Sequence, residues 1–252
     1  TDGAAWATWI AQASVFLLFV HQLKFKKILW EDFRFFGSLK RSYTTKIVRI
    51  GLPVALLNSL FAFVNMFLGR TASSVGGHIG LMAMTTSGQI EAITWNTSQG
   101  FSTALSAFVA QNYAAQRTER VVRALKATLW MTLVFGTVCS LAFIFCGNDI
   151  FAIFVPEREA YEAGGLALRI DGYSQLFMML EIAMQGVFYG MGRTVAPAVI
   201  SISCNYLRIP LALALVSLGW GLSGIWWSIS ITSIVKGVLS AIWFFCIRKK
   251  AF

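Results

Sequence analysis

The chain has 252 residues, of which 57% are hydrophobic and only 13% are charged, and its formal net charge at pH 7 is +10. Soluble domains contain about 25% charged residues, so this composition, with a mean hydropathy of +0.67 and seven long apolar stretches, excludes a soluble domain. It predicts an all-α, polytopic membrane protein whose partner is the lipid bilayer. Nucleic acid is not an expected partner, because the basic residues cluster in loops and report membrane orientation instead.

The first predicted span covers residues 3–23, and a stretch rich in Lys, Arg and aromatic residues follows it at 24–49. That stretch is too charged to cross a bilayer. Its composition suits an interfacial helix, but a plain cytoplasmic loop is an equal alternative. Because the chain begins without Met and enters a span at once, we expect it to be the tail of a longer protein.

The second predicted span, 47–69, has Gly51 and Pro53 near its start, where proline disrupts a helix least. Asn58 and Asn65 are seven residues apart and therefore share one face of this helix.

The third predicted span, 81–110, is unusually polar. One face carries a stripe of six polar residues, namely Thr85, Gln89, Asn96, Gln99, Thr103 and Ser106. Glu91 projects roughly 120° away from that stripe, toward Ser98 and Ser102. Two polar faces imply that protein or water surrounds most of the helix, so Gln89, Asn96 and Glu91 are candidate lining residues of a pathway, as is Asn58.

The fifth predicted span, 168–190, carries a carboxylate in its middle. Glu181 lies about 15 Å along a helix from Asp171, halfway across a hydrocarbon layer of roughly 30 Å. Ser174, Gln185 and Tyr189 recur on the same face. An acid at that depth normally faces a bundle interior or a water-filled cavity, so we favour a substrate or ion pathway. The alternative is a protonated glutamate hydrogen-bonded to a neighbouring helix.

The remaining predicted spans are 127–146, 195–218 and 222–247. Arg208 lies in the sixth span and Lys236 in the seventh, and with Glu91 and Glu181 they have a formal charge of zero. Each would be costly if isolated, so pairing across helices is expected. For Arg208 and Lys236, a role in the pathway and a role as ion pairs that only fix helix packing are both open.

Loop charge predicts the topology. Sixteen of the 21 Lys and Arg residues fall in alternate loops and at the chain end, which the positive-inside rule places in the cytoplasm. The chain therefore starts outside and ends inside the cell, and we expect a multi-pass protein of the cell inner (plasma) membrane with a cytoplasmic C-terminus.

No enzyme motif is present, so an enzyme is not expected. The four cysteines fall inside apolar spans, and neither they nor the two His residues have the spacing of a metal site. We predict no catalytic residues, no metal and no cofactor other than a coupling ion.

Five motifs, in order along the chain, carry a family resemblance. They are Gly51-Leu-Pro53 opening a span, Gly100 to Asn112, Gln185 to Pro197 with its Gly-Met-Gly-Arg-Thr turn, Arg208-Ile-Pro-Leu-Ala212, and Gly221 to Trp227. Together they resemble the C-terminal half of the multidrug and toxic compound extrusion (MATE) transporters.

The resemblance implies three parts. Residues 1–23 would be the last transmembrane helix of the N-lobe, residues 24–46 a basic cytoplasmic linker between lobes, and residues 47–252 the C-terminal six-helix transmembrane lobe. A missing N-terminal lobe of the same polypeptide would be the partner of this chain.

The same resemblance implies a secondary active antiporter that exports organic, often cationic, compounds or drugs in exchange for H⁺ or Na⁺ by alternating access. The sodium site of the family does not transfer residue by residue. The helix opened by Gly51-Leu-Pro53 has no acid, and the position of the family's aspartate is Met178 here, with Glu181 one turn later.

The alternative is a lipid-linked oligosaccharide flippase of the same broad superfamily. It should have a cavity dominated by Arg and Lys, for which only Arg208 and Lys236 are available. For the antiporter we predict that Glu181→Gln abolishes coupled efflux while Glu91→Gln does less.

Overall fold

The computed structural model describes residues 2–25 and 41–251, and in these two ranges the chain is helical without a strand. The helices are α1 (Asp2–Phe25), α2 (Arg41–Ala114), α3 (Thr118–Phe154), α4 (Arg158–Gly190), α5 (Val195–Leu215) and α6 (Gly221–Ala251), with a π-helical turn at Val216–Trp220. The chain divides into two compact units, Thr1–Thr45 and Lys46–Phe252. The all-α membrane fold predicted from composition is confirmed.

The first unit contains α1, whose apolar part is Trp6–His21. Trp6 and Trp9 pack edge to face, with ring centroids 5.9 Å apart. Large apolar side chains such as Leu18 are mostly exposed along this helix, as expected for a helix whose surroundings are hydrocarbon or other helices.

Helix α2 consists of two helices joined at Gly77, whose φ of 58° and ψ of −142° interrupt the helical backbone. Glycine has no Cβ and tolerates positive φ, so it can form this sharp bend. The two halves lie close together next to the bend. The evidence is at Gly80, where an added Cβ would overlap the carbonyl oxygen of Ala72. The predicted second and third spans are thus two arms of a hairpin.

Helices α5 and α6 form a second hairpin. The bend lies in the π-helical turn and uses two glycines with positive φ, Gly219 (86°) and Gly221 (56°). Leu222, which follows this bend, packs against Gly76 of the first hairpin. A Cβ added to Gly76 would lie only 2.6 Å from Leu222 Cδ1.

Three continuous helical stretches of the described chain are long and apolar enough to cross a membrane: Thr44–Ala114, Thr118–Phe154 and Val195–Cys246. The first and the last are hairpins, so each contains two of the predicted spans. Helix α4 is more polar than the other three because it contains Asp171, Glu181 and Gln185.

Several helices extend beyond the predicted spans. Helix α4 begins at Arg158, before the predicted 168, and α3 continues to Phe154, past 146, after a kink at Cys146. The apolar stretch marks only the part of a helix in hydrocarbon, while charged exposed turns extend it. Helix α2 begins at Arg41, inside the linker predicted at 24–46. Residues 26–40 of that linker lie outside the described residues, and the assignment of the three parts to lobes stays a prediction.

Helix α4 is the centre of the second unit, buried almost throughout from Asp171 to Phe188. Glycines permit close approach on its sides. A Cβ on Gly186 would lie 2.7 Å from the Ser102 carbonyl oxygen, and one on Gly136 of α3 would lie 2.9 Å from Met179 Sδ. Small residues at such interfaces let helix backbones approach closely in a membrane. The mid-chain carboxylate of Glu181 is therefore held inside the bundle.

Candidate functional site

Glu181 of α4 forms a buried ion pair with Lys236 of α6. The Lys236 Nζ atom lies 3.1 Å from Glu181 Oε2, and the two side chains are 8% and 5% exposed, respectively. Isolated charges at such depth are very costly, so each requires the other. Of the two cationic partners expected from the sequence, the structure selects Lys236.

The second carboxylate oxygen of Glu181 accepts two hydrogen bonds. Ser201 Oγ donates to Oε1 at 2.5 Å, and Gln185 Nε2 donates to the same oxygen at 3.0 Å. Gln185 also lies 3.2 Å from Ser201 Oγ. Both carboxylate oxygens are thus satisfied by residues from three helices, which fixes the position of the carboxylate.

Arg208 of α5 occupies a separate polar pocket. Its Nε donates to Thr232 Oγ1 and one terminal nitrogen donates to Ser233 Oγ, each at 2.8 Å. Its guanidinium carbon lies 5.9 Å from the ring centroid of Phe61, close enough for a cation–π interaction. Arg208 is buried without a carboxylate in hydrogen-bonding contact among the described residues.

The negative charges that balance Arg208 belong to carboxylates that do not form hydrogen bonds with it. Glu91, Asp171 and Glu181 all interact electrostatically with Arg208, and Glu91 also interacts with Lys236. Asp171 and Glu91 interact with each other as well. Five ionisable groups on α2, α4, α5 and α6 therefore belong to one electrostatic network inside the bundle.

Three buried polar atoms on α4 and α5 have no hydrogen-bond partner among the described residues: Asp171 Oδ1, Gln175 Nε2 and Asn205 Oδ1. Buried polar groups are normally paired, so these atoms are exceptions to that rule. In the described chain, no three His, Cys, Asp or Glu side chains cluster in the manner of a metal site.

The remaining predicted residues are distributed differently. Ser174 is buried but donates to the Asp171 carbonyl oxygen rather than to Glu181, and Tyr189 is half-buried at the end of α4. Asn58, Gln89 and Asn96 are exposed in this chain. In the structure, Glu181, Gln185 and Lys236 are in direct contact, and Glu91 and Arg208 interact with this group electrostatically. The exposed residues do not contact it. The roles of all these residues stay predictions.

Sequence reasoning missed Ser201, Thr232 and Ser233, and undervalued Asp171. A signal for some of them was present. Polar residues recur every four positions along α6, at Ser228, Thr232, Lys236 and Ser240, and all four are buried. This periodicity places them on one face of the helix. An analysis restricted to charged residues overlooks this row of Ser and Thr residues.

Comparison with known proteins gives a consistent result. A family model described as MatE matches residues 53–214, more than half of the chain. The chain is 25% identical over 213 residues to the probable multidrug resistance protein NorM of Thermotoga maritima, covering 81% of this chain and 44% of that protein. It is 23% identical over 238 residues to human multidrug and toxin extrusion protein 1, covering 94% of this chain and 42% of that protein.

Solved structures show the same fold. A crystal structure of MATE in complex with MaL6 matches with a TM-score of 0.87 at 19% identity, covering 99% of this chain and 57% of that one. An outward-facing MATE family transporter of the MOP superfamily matches with a TM-score of 0.75 at 19% identity, over 81% of this chain and 45% of that one. The chain thus spans about half the length of the relatives it matches.

Proposed function

Because the chain belongs to the MatE family of multidrug and toxic compound extrusion transporters, we propose that it supplies the C-terminal lobe of a secondary active antiporter for organic, often cationic, compounds. Members of this family are transporters and not enzymes. The observation that carries the proposal is the buried Glu181–Lys236 ion pair. Ionisable residues inside membrane bundles mark substrate and ion pathways or proton relays.

The pair offers a simple means of coupling. With Glu181 ionised, the ion pair is electrically neutral. When a proton or a sodium ion neutralises the carboxylate, Lys236 contributes an unbalanced positive charge that repels a nearby cationic substrate. Binding of the coupling ion and binding of the substrate then oppose each other, and this reciprocal coupling is what antiport requires.

The hydrogen bonds at Oε1 support this role. Ser201 and Gln185 come from two helices and hold the carboxylate in place whether or not Lys236 stays in contact. Ser201 Oγ can donate to a carboxylate or accept from a carboxylic acid by rotating its hydroxyl. Both charge states of Glu181 can therefore be satisfied at the same position.

The test uses the full-length protein in proteoliposomes loaded with a fluorescent cationic dye. Dye efflux is measured under an imposed proton gradient and, separately, an imposed sodium gradient, for wild type, Glu181→Gln and the exposed control Glu159→Gln. We expect one gradient to drive efflux in wild type and the control but not in Glu181→Gln. Absence of efflux in wild type under both gradients would contradict the proposal.

The flippase alternative ranks second. It requires several cationic side chains free to bind a pyrophosphate-linked substrate, whereas Lys236 is paired with Glu181 and Arg208 donates to Thr232 and Ser233. Transfer of a labelled lipid-linked oligosaccharide across the same proteoliposomes, without dye efflux, would favour it.

The proposed location is the plasma membrane with the C-terminus in the cytoplasm. Fusions of alkaline phosphatase and of green fluorescent protein at the C-terminus distinguish the two orientations. We expect fluorescence and no phosphatase activity; the reverse result would invert the topology.

A further inference from the structure

One end of the bundle has a cavity of about 560 Å³ that the antiport proposal does not use. It lies between the start of α2, the turn from α4 to α5, and the last turns of α6. Its lining has a charged rim, Arg49 and Arg193, and an apolar wall that includes Ile50, Val199 and Trp243.

Arg193 is held at this rim by the turn that ends α4. Gly192 has a φ of 70°, Arg193 N–H donates to the Phe188 carbonyl oxygen at 2.8 Å, and Gly192 N–H donates to the Tyr189 carbonyl oxygen at 2.9 Å. This pair of bonds is a Schellman motif, which stops the helix and fixes the residue after the glycine. The position of Arg193 is therefore set by the backbone.

Neither arginine has a carboxylate partner among the described residues. Both are exposed, and no acidic residue lines the cavity. Two like charges that line one cavity repel each other, and an anion bound there would relieve this repulsion.

The apolar part of the cavity lining is suited to a lipid. Ile50, Val199 and Trp243 are about half exposed, and Ile50 follows Arg49 directly on α2. Trp at the end of a membrane helix prefers the headgroup level, and basic clusters at the same level bind anionic headgroups. The two arginines suit the anionic headgroup of a phospholipid, and the neighbouring apolar side chains suit its acyl chain.

We propose that this cavity is a binding site for an anionic phospholipid, with the phosphate between Arg49 and Arg193 and an acyl chain along Ile50 and Val199. Arginine binds phosphate oxygens through two parallel N–H groups, which makes it the suitable residue type for such a headgroup. The lipid would join the N-terminal part of α2, at Arg49 and Ile50, to the α4–α5 turn.

The test measures lipid retention on the purified full-length protein. Native mass spectrometry counts bound dioleoylphosphatidylglycerol and dioleoylphosphatidylcholine after mixing equal amounts of each with the protein in detergent. The variants are Arg49→Gln/Arg193→Gln and the control Arg120→Gln/Lys126→Gln, which also removes two exposed positive charges but lies on α3 outside the cavity. We expect wild type and control to prefer the anionic lipid.

For Arg49→Gln/Arg193→Gln we expect the affinity for phosphatidylglycerol to fall about fivefold per arginine, with the zwitterionic lipid unaffected. Val199→Trp fills the apolar part without changing charge, and it should reduce retention of the lipid while leaving binding of inorganic phosphate unchanged. Unaltered retention of phosphatidylglycerol in either variant would overturn the proposal. Full competition by millimolar inorganic phosphate would also overturn it, because the site would then bind a free anion. An empty site in wild type would overturn it as well, because another part of the protein would then fill the cavity.

Discussion

Lys236 on α6 and Glu181 on α4 are joined by a 3.1 Å ion pair, and both side chains are less than a tenth exposed. Neither charge can be removed alone without leaving the other buried and uncompensated. The pair therefore has a structural and a functional consequence, and these can be measured separately.

We predict that Glu181→Gln and Lys236→Gln each lower the free energy of unfolding by about 3–5 kcal/mol, the cost of breaking a buried pair from one side. The double variant should lose much less than the sum, because no unpaired charge remains. Thermal unfolding in detergent measures the cycle, and efflux should be absent in all three variants. Additive losses would show that the two residues are not energetically coupled.

Arg208→Lys should lower the free energy of unfolding by about 1.5–3 kcal/mol, because an ammonium group cannot reproduce the charge-assisted hydrogen bonds of the guanidinium to both Thr232 and Ser233. The matched control is Arg169→Lys, an exposed arginine on α4, which should change stability by less than about 0.5 kcal/mol. Equal melting temperatures for the two variants would contradict the structure around Arg208.

Gly190→Ala should lower the free energy of unfolding by about 1–3 kcal/mol, since its new methyl group would lie 2.6 Å from the carbonyl oxygen of Ser106, a backbone atom that cannot easily move. Gly88→Ala is the control, because a Cβ there meets nothing within 4 Å. It should stabilise the helix by about 0.5–1 kcal/mol. Chemical denaturation followed by tryptophan fluorescence distinguishes these opposite signs.

Gln116→Gly should stabilise the protein by about 0.5–1 kcal/mol. Gln116 has a φ of 55°, which costs a residue with a Cβ about 1–2 kcal/mol, and glycine removes that cost at a smaller entropic penalty. The same change at Gln111, an exposed helical position, should destabilise by up to about 1 kcal/mol. A lower melting temperature for Gln116→Gly than for wild type would refute the positive φ.

The fold class and the family could be predicted from the sequence because both depend on extended patterns: long apolar stretches, and five motifs in order. The depth of Glu181 was also predictable, since helical rise is constant. The choice of Lys236 over Arg208 was not, because it depends on how α5 and α6 are rotated about their axes. The exposure of Asn58, Gln89 and Asn96 could not be predicted either, since a polar stripe does not indicate which neighbour it faces.

Helix ends were less predictable than helix centres. Hydropathy located the part of α4 around Glu181 but missed its first turns from Arg158, where the helix continues outside the apolar layer. The bend at Gly77 was equally invisible, because two glycines stand next to each other there and only the backbone angles show which one turns.

The enclosure of α4 limits how this protein can diversify. From Asp171 to Phe188 almost every side chain of α4 is buried, so a change that alters the chemistry of Glu181 or its neighbours also disturbs the core. Over evolutionary time, α4 therefore accepts change only when a compensating substitution arises on a facing helix.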